Sequence, residues 1–325
     1  MRGSVTFTND ASGEYEYFDF AAKISGVELF DTITLESPVR QSMKHVVVLE
    51  NPLGEAVLIT MGRGIASVSN DQWWTCDSKD VRVTELRPIS GNVEGSFEVE
   101  YRPTVLTANM QAQERILKIH TKELGDFSMK LVLIAQPPVG RPKLYFNVSL
   151  GKTQTEYFTL TAYNRVKCEY NCSVSDATFF TVQKTITVDA VSKWEGETLR
   201  LPVTFDPSQI GECQDLLKVV HQDGGSYDCD LVATCTPPQP QGPFSIAAGS
   251  PVPIPFRNCF TSNLVWNFSL DSPNFKLASS SATVAAKTDG TCVVSFEPKV
   301  MGSNTAKLFI TSGANQPWVF YLRGT

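Results

Sequence analysis

The chain has three histidines in 325 residues, and none has the company that chemistry needs. His45 and His221 stand at the ends of strand-like runs and His120 stands within one. None has a Cys, Asp or Glu at the spacing of a metal site or of a nucleophile–His–acid set. No Cys-x2-Cys knuckle occurs. Cys168-x3-Cys172 and Cys229-x5-Cys235 are spaced wrongly for zinc and read as small buried hydrophobes. Gly224-Gly225 and the stretch Met61-Gly62-Arg63-Gly64 neither join a strand to a helix nor lead into Lys-Ser/Thr, so they are turns and not phosphate loops. With no convergent acid, base and nucleophile, the expectation is a protein that is not an enzyme, with no catalytic, cofactor-binding or metal residues and no cofactor.

Other absences narrow the class further. No apolar run approaches the roughly 18 residues of a membrane helix. The opening Met1-Arg2-Gly3-Ser4-Val5-Thr6 lacks the apolar core of a secretory signal. The net charge is −6 and the 28 Lys and Arg are scattered, which leaves no electrostatic footprint for nucleic acid or anionic lipid. Lys143, Lys152, Arg165 and Lys167 are the nearest approach to a basic cluster, thin support for contact with an acidic surface such as that of tubulin. No window has a persuasive helical period; only Thr107–Glu114 reads as a single helical turn.

What is present is a repeat. Phe97-Glu98-Val99-Glu100-Tyr101-Arg102-Pro103 is followed by Ile116–Ile119, Gly125-Asp126-Phe127, Leu131–Ala135 and Pro137-Pro138. Leu201–Pro207 is followed by Gly211, Leu216–Val220, Tyr227–Ala233 and Pro237-Pro238. Val293–Pro298 is followed by Gly302, Ala306–Ile310 and Trp318–Gly324. The aromatic-x-Pro triplets start at Tyr101, Phe205 and Phe296, and a period near 100 residues is that of a small β-sandwich. The fold expected is all-β: tandem immunoglobulin-like sandwiches, three complete and one partial at the N-terminus.

The chain divides at its prolines. Residues 1–25 form one hairpin around Asp10-Ala11-Ser12-Gly13, with Asp and Gly suited to positive φ at the tip. By the repeat it is the closing hairpin of a truncated sandwich; the alternative is an extra edge of the next domain. Residues 26–138 form the first complete domain. In it Asp31–Glu36 alternates, His45–Leu49 reads as a central strand closed by Asn51-Pro52, and Ala56–Thr60 reads as a further strand. Residues 139–238 form the second domain, ending in a stiff linker from Thr236 to Pro243. Residues 239–325 form the third, in which Pro253 and Pro255 confine the strand-like run Val252–Asn258 to an edge.

The eight cysteines do not recur from repeat to repeat, as a disulfide framework would. Cys168 and Cys172 look like one face of one strand, with Cα atoms roughly 13 Å apart, too far to bridge. The thiols read as reduced, and the glycosylation patterns at Asn147, Asn171 and Asn267 carry no weight in a reducing compartment. Adjacent residues on a strand face opposite sides, so Trp73-Trp74 has two readings: one ring anchors a partner interface, or both rings are covered. The stretch Trp194-Glu195-Gly196-Glu197 reads as a solvated turn.

Asn51-Pro52 after an apolar strand, the aromatic-x-Pro triplets with a following Gly, and the closing Gly-x-(Phe/Tyr)-x3-Leu strand that runs into Pro-Pro resemble the Hydin-type (ASH) immunoglobulin-like domains, related to the major sperm protein sandwich. Phe7-Thr8-Asn9-Asp10, Gly13-Glu14-Tyr15 and Gly125-Asp126-Phe127 look most like the large central-apparatus proteins of cilia, cilia- and flagella-associated protein 47 first and Hydin second. The resemblance implies a non-catalytic scaffold in the cytoplasm and in the axoneme of motile cilia and flagella. Its partners would be other central-apparatus proteins, reached through sandwich faces and edge strands. It would associate with microtubules without binding tubulin directly, and would bind neither nucleic acid nor membrane. The residues alone leave open an extracellular adhesin or receptor array and a set of non-catalytic carbohydrate-binding modules.

Overall fold

A computed structural model of the chain describes residues 2–21, 29–57, 73–121, 125–298, 304–313 and 316–325. It divides into two compact units, Met1–Pro137 and Pro138–Thr325. The expected strand at Leu58–Thr60, the Met61–Gly64 turn and Gly302 lie outside the described residues; Ala56 and Val57 are described and are not strand.

The first unit opens with an antiparallel hairpin, β1 (Arg2–Thr8) and β2 (Tyr15–Ala21). The tip closes through Asn9 N to Glu14 O (2.8 Å) and Gly13 N to Asn9 O (2.8 Å), with Gly13 at φ 71°. Gly supplies that conformation without a Cβ penalty. Register places Val5, Phe7, Phe18 and Phe20 on one face, all exposed.

A sandwich follows: β3 (Asp31–Pro38), β4 (Met43–Glu50), β5 (Trp74–Cys76), β6 (Val81–Arg87), β7 (Glu94–Tyr101), one 3-10 turn at Ala108–Met110, β8 (Gln113–Thr121) and β9 (Gly125–Gln136). One sheet runs β3-β9-β8-β5 and the other β4-β7-β6. Between them lies a core of Leu35, Leu49, Phe97, Val99, Leu117, Ile119, Met129 and Leu131. The turn lies within Thr107–Glu114, but Asn109 and Met110 have positive φ (55° and 54°), so it is not the regular helical turn expected there, and Gln113 and Glu114 already belong to β8. Among the described residues the apolar run His45–Leu49 is an edge strand and not a central one: Val47 and Leu49 are buried while Val46 and Val48 are half exposed. Valine on both faces imitates a strand covered on both sides, but β-branched residues also suit an exposed pleat.

The second unit holds two sandwiches with one strand order. The first comprises β10 (Lys143–Ser149), β11 (Gln154–Ala162), β12 (Cys168–Val174), β13 (Phe180–Val182), β14 (Thr185–Val188), β15 (Glu197–Phe205), β16 (Gly211–His221) and β17 (Gly225–Thr236). The next comprises β18 (Gln241–Ile246), β19 (Val252–Arg257), β20 (Leu264–Leu270), β21 (Phe275–Leu277), β22 (Ser281–Val284), β23 (Asp289–Phe296), β24 (Thr305–Thr311) and β25 (Trp318–Gly324). Sheet orders are β10-β17-β16-β12-β14 over β11-β15-β13, and β18-β25-β24-β20-β22 over β19-β23-β21. This is a tandem immunoglobulin-like β-sandwich fold. Cys168, Tyr170 and Cys172 share the buried face of β12, as period-2 geometry requires. Val252–Arg257 is an edge, as its prolines demand.

The linker is shorter than its prolines imply. From Gln241 the chain already runs as β18, parallel to β25 and irregular in register between Gln241 and Phe244. In each sandwich the first strand pairs parallel with the last: β3 with β9, β10 with β17, β18 with β25.

Candidate interaction surfaces

Each sandwich is pinned by one buried asparagine just beyond its second strand. Asn51 Nδ2 donates to Glu55 O and Ser90 O (2.9 Å each), and its Oδ1 accepts from Leu53 N at 2.9 Å. Asn164 Nδ2 donates to Val166 O (2.7 Å) and Asp189 O (3.0 Å). Asn258 Nδ2 faces Ser262 O, Val284 O and Ala285 O at 2.9–3.0 Å, and its Oδ1 accepts from Phe260 N at 3.1 Å. These side chains tie loop carbonyls that no strand can reach. Asn51 was visible beside Pro52. Asn164 and Asn258 were missed, although an asparagine at the same strand end in each repeat was a signal.

The sandwiches of the second unit are joined through the x of an aromatic-x-Pro triplet. Asp206 Oδ2 accepts from Arg257 Nη2 at 3.0 Å and lies 3.4 Å from Lys287 Nζ, which also donates to Asp206 O at 2.8 Å. The Trp318 ring sits over Gly151, where a Cβ would lie 3.0 Å from it. One hydrophobic cluster runs through both sandwiches. The cleft beside this junction is lined by Lys152, Gln239, Phe256, Arg257, Asp289 and Trp318.

Trp73 and Trp74 are half-buried, and both pack on the core of the first sandwich. Trp73 meets Phe97 edge-on with ring centroids 6.0 Å apart, and its carbonyl accepts from His120 N at 2.8 Å. It stands just before β5, so strict alternation does not separate the two rings; only Trp74 is on the edge strand.

The histidines do local work. His221 Nδ1 accepts from Asp223 N (3.0 Å) and Gly224 N (3.2 Å), which caps the β16–β17 turn. His120 Nδ1 lies 3.0 Å from Asp126 Oδ1, and its Nε2 lies 3.3 Å from Thr75 Oγ1. Cross-strand register makes this row, which sequence spacing could not reveal. It contains the parts of a nucleophilic relay, but the His120 and Asp126 side chains are 29% and 57% exposed, which leaves the pair in contact with water. His45 is exposed on β4. Among the described residues no cluster of His, Cys, Asp and Glu could hold a metal.

Two of the four basic residues near 143–167 are engaged within their own sandwich. Arg165 Nη1 donates to Val191 O (3.1 Å) and its guanidinium lies 5.2 Å from the Trp194 ring centre, while Lys167 pairs with Asp189 at 3.0 Å. The turn carrying Glu195 closes through Gly196 N to Lys193 O, with Gly196 at φ 82°.

All eight cysteines are free thiols; six are buried, and Cys76 and Cys213 are half-buried. Burial pushes every thiol up, Cys229, Cys235, Cys259 and Cys292 to about 11. Thiolate is the reactive form, so all are poor nucleophiles at neutral pH. Iodoacetamide at pH 8 is expected to label Cys76 and Cys213 well before the other six. Denatured, unreduced protein should give eight labelled thiols by mass spectrometry. A lower count, with glycans on Asn147, Asn171 or Asn267, would contradict a reducing compartment and favour an adhesin or receptor.

No family model matches the chain. Over 331 aligned residues it is 30% identical to hydrocephalus-inducing protein of Mus musculus and to the homolog of Homo sapiens. Each alignment covers 98% of this chain, and the chain spans about 6% of the length of these curated relatives. Among solved structures, a three-immunoglobulin-domain segment of titin is similar at 9% identity and TM-score 0.20, over 91% of this chain and 95% of that one. The periplasmic chaperone SfaE is similar at 14% identity and TM-score 0.23, over 57% and 97%. At such TM-scores the sandwich assignment rests on the strand order above. The similarity along nearly the whole chain supports domains of the Hydin type and does not single out cilia- and flagella-associated protein 47.

Proposed function

We propose that this chain is a segment of a non-catalytic scaffold and protein-interaction array of the cilium, held in a central-pair projection of the axoneme. The observation that carries the reading is 30% identity to hydrocephalus-inducing protein across 98% of the chain, joined to a fold made of repeated sandwiches. Its partners are other central-apparatus proteins, met through sheet edges and faces, the half-buried rims of Trp73 and Trp74 among them. It associates with microtubules through those partners and not by binding tubulin directly, since Arg165 and Lys167 are already engaged within their own domain. Affinity builds from several weak contacts along the array, through effective concentration.

The test is proximity labelling by this chain, fused to a labelling enzyme, in motile ciliated cells. Enrichment of central-pair proteins over outer-doublet proteins is the expected result. Labelling equal to that of the free enzyme would overturn the proposal.

A further inference from the structure

Each sandwich offers the same edge, its second strand, at one side of the three-stranded sheet: β4, β11 and β19. Edges with unpaired main-chain groups recruit other strands unless guarded by prolines, lysines, bulges or shortness. β19 carries Pro253 and Pro255, and β4 carries Lys44. Elsewhere in the second sandwich, β13 and β14 are three and four residues long, and Asn147 N on the edge strand β10 is occupied by Gln154 Oε1 at 2.7 Å. β11 is nine residues long, without proline, lysine or irregular register; its one charged side chain, Glu156, is half-buried on the inner side and accepts from Gln154 Nε2 at 2.8 Å.

The face beside this edge has a distinct chemistry. Register places Thr155, Tyr157, Thr159 and Thr161 of β11 on the outer side next to Thr204, Pro202, Arg200 and Thr198 of β15, with Thr181 of β13 opposite Thr204. It is a threonine face with one charge, Arg200. The guanidinium lies 4.6 Å from the Tyr157 ring centre, and no carboxylate among the described residues pairs with it. A second copy of β11 laid on the edge would present only threonine and tyrosine on that side and leave Arg200 unmatched. A strand with an outward carboxylate would satisfy both the main chain and the guanidinium.

We propose that the free edge of β11 accepts an extended segment of a partner protein as a fourth strand, with an acidic side chain of that segment meeting Arg200 over Tyr157. This rests on the scaffold reading and names one of its contacts.

The probe is a fluorescent nine-residue peptide of alternating Thr and Val with a central Glu, read by anisotropy against the whole chain. Its counterparts have Lys at the centre or N-methyl groups on alternate amides. The Glu peptide is expected to bind, and methylation of the amides that face β11 to abolish binding. Arg200→Glu should weaken the Glu peptide about tenfold and strengthen the Lys peptide, as loss of an attraction plus gain of a repulsion predicts. Arg200 is exposed, so an unchanged melting curve checks that the variant folds. No binding, equal affinity for Glu and Lys peptides, or indifference to Arg200→Glu would overturn the β11 assignment. None of these outcomes would touch the labelling result, which tests the scaffold reading separately.

Discussion

Asn258→Ala will destabilise the last sandwich by roughly 3–5 kcal/mol, several times the effect of an ordinary surface change. The side chain is fully buried and joins two segments: Phe260 N and Ser262 O of its own loop, and the consecutive carbonyls of Val284, the last residue of β22, and Ala285. Alanine leaves those groups in an interior that water does not fill, and each buried orphan costs about 1–3 kcal/mol. Asn258→Asp should be at least as damaging, because a carboxylate set against three carbonyl oxygens has no proton to give. Urea unfolding followed through Trp266 and Trp318, both buried in this sandwich, measures the loss. A change below 1 kcal/mol for Asn258→Ala would mean that the loops find other partners. The same substitution at Asn51 should act on the first sandwich, which has its own core, and at Asn164 should lower the transition that the second and third sandwiches share.

Asp206→Lys will uncouple the two sandwiches of the second unit. It replaces the acceptor of Arg257 and Lys287 with a third cation. Side-chain exposures of 17% for Asp206 and 27% for each partner leave only partial screening. Breaking a largely buried pair from one side costs roughly 2–4 kcal/mol here. Calorimetry should resolve the second and third sandwiches as separate transitions, where the parent melts them together. Small-angle scattering should report a broader distribution of dimensions. Asp206→Asn, which keeps the shape and one acceptor, should lie between the two. A single transition at the parent temperature in Asp206→Lys would show that Trp318 over Gly151 and the shared hydrophobic cluster suffice.

These two sites mark what the sequence could and could not disclose. The repeat was legible because strand alternation and turn chemistry are local: Tyr227–Ala233 reads as a strand with no knowledge of what it faces. The aromatic and the proline of each triplet recur because they belong to that local pattern. The residue between them varies, Arg102, Asp206 and Glu297, and the partners of Asp206 lie in the next sandwich, where no periodicity points. Short strands escaped for a related reason. Thr185–Val188 and Ser281–Val284 are four residues each, and only pairing with β12 and β20 makes them strands. Gln241–Ile246 hid behind Pro240 and Pro243, which spoke for linker until β25 supplied a parallel neighbour. The edge position of β4 was misread because composition states how apolar a strand is and not how many neighbours it has. The face around Arg200 was invisible for the same reason: Tyr157, Arg200 and Thr181 meet only in register.

The parallel pairing of first and last strands bears on how such a domain meets force. A chain pulled at both ends tugs the start of the first strand and the finish of the last in opposite directions. Because these neighbours run the same way, the pull lies along them. The evenly spaced bonds between Asp31–Pro38 and Met129–Gln136, or between Lys143–Ser149 and Asp230–Thr236, then share the load in shear instead of opening one after another. Each sandwich is therefore wired as a lap joint, loaded along its length instead of peeled from one end.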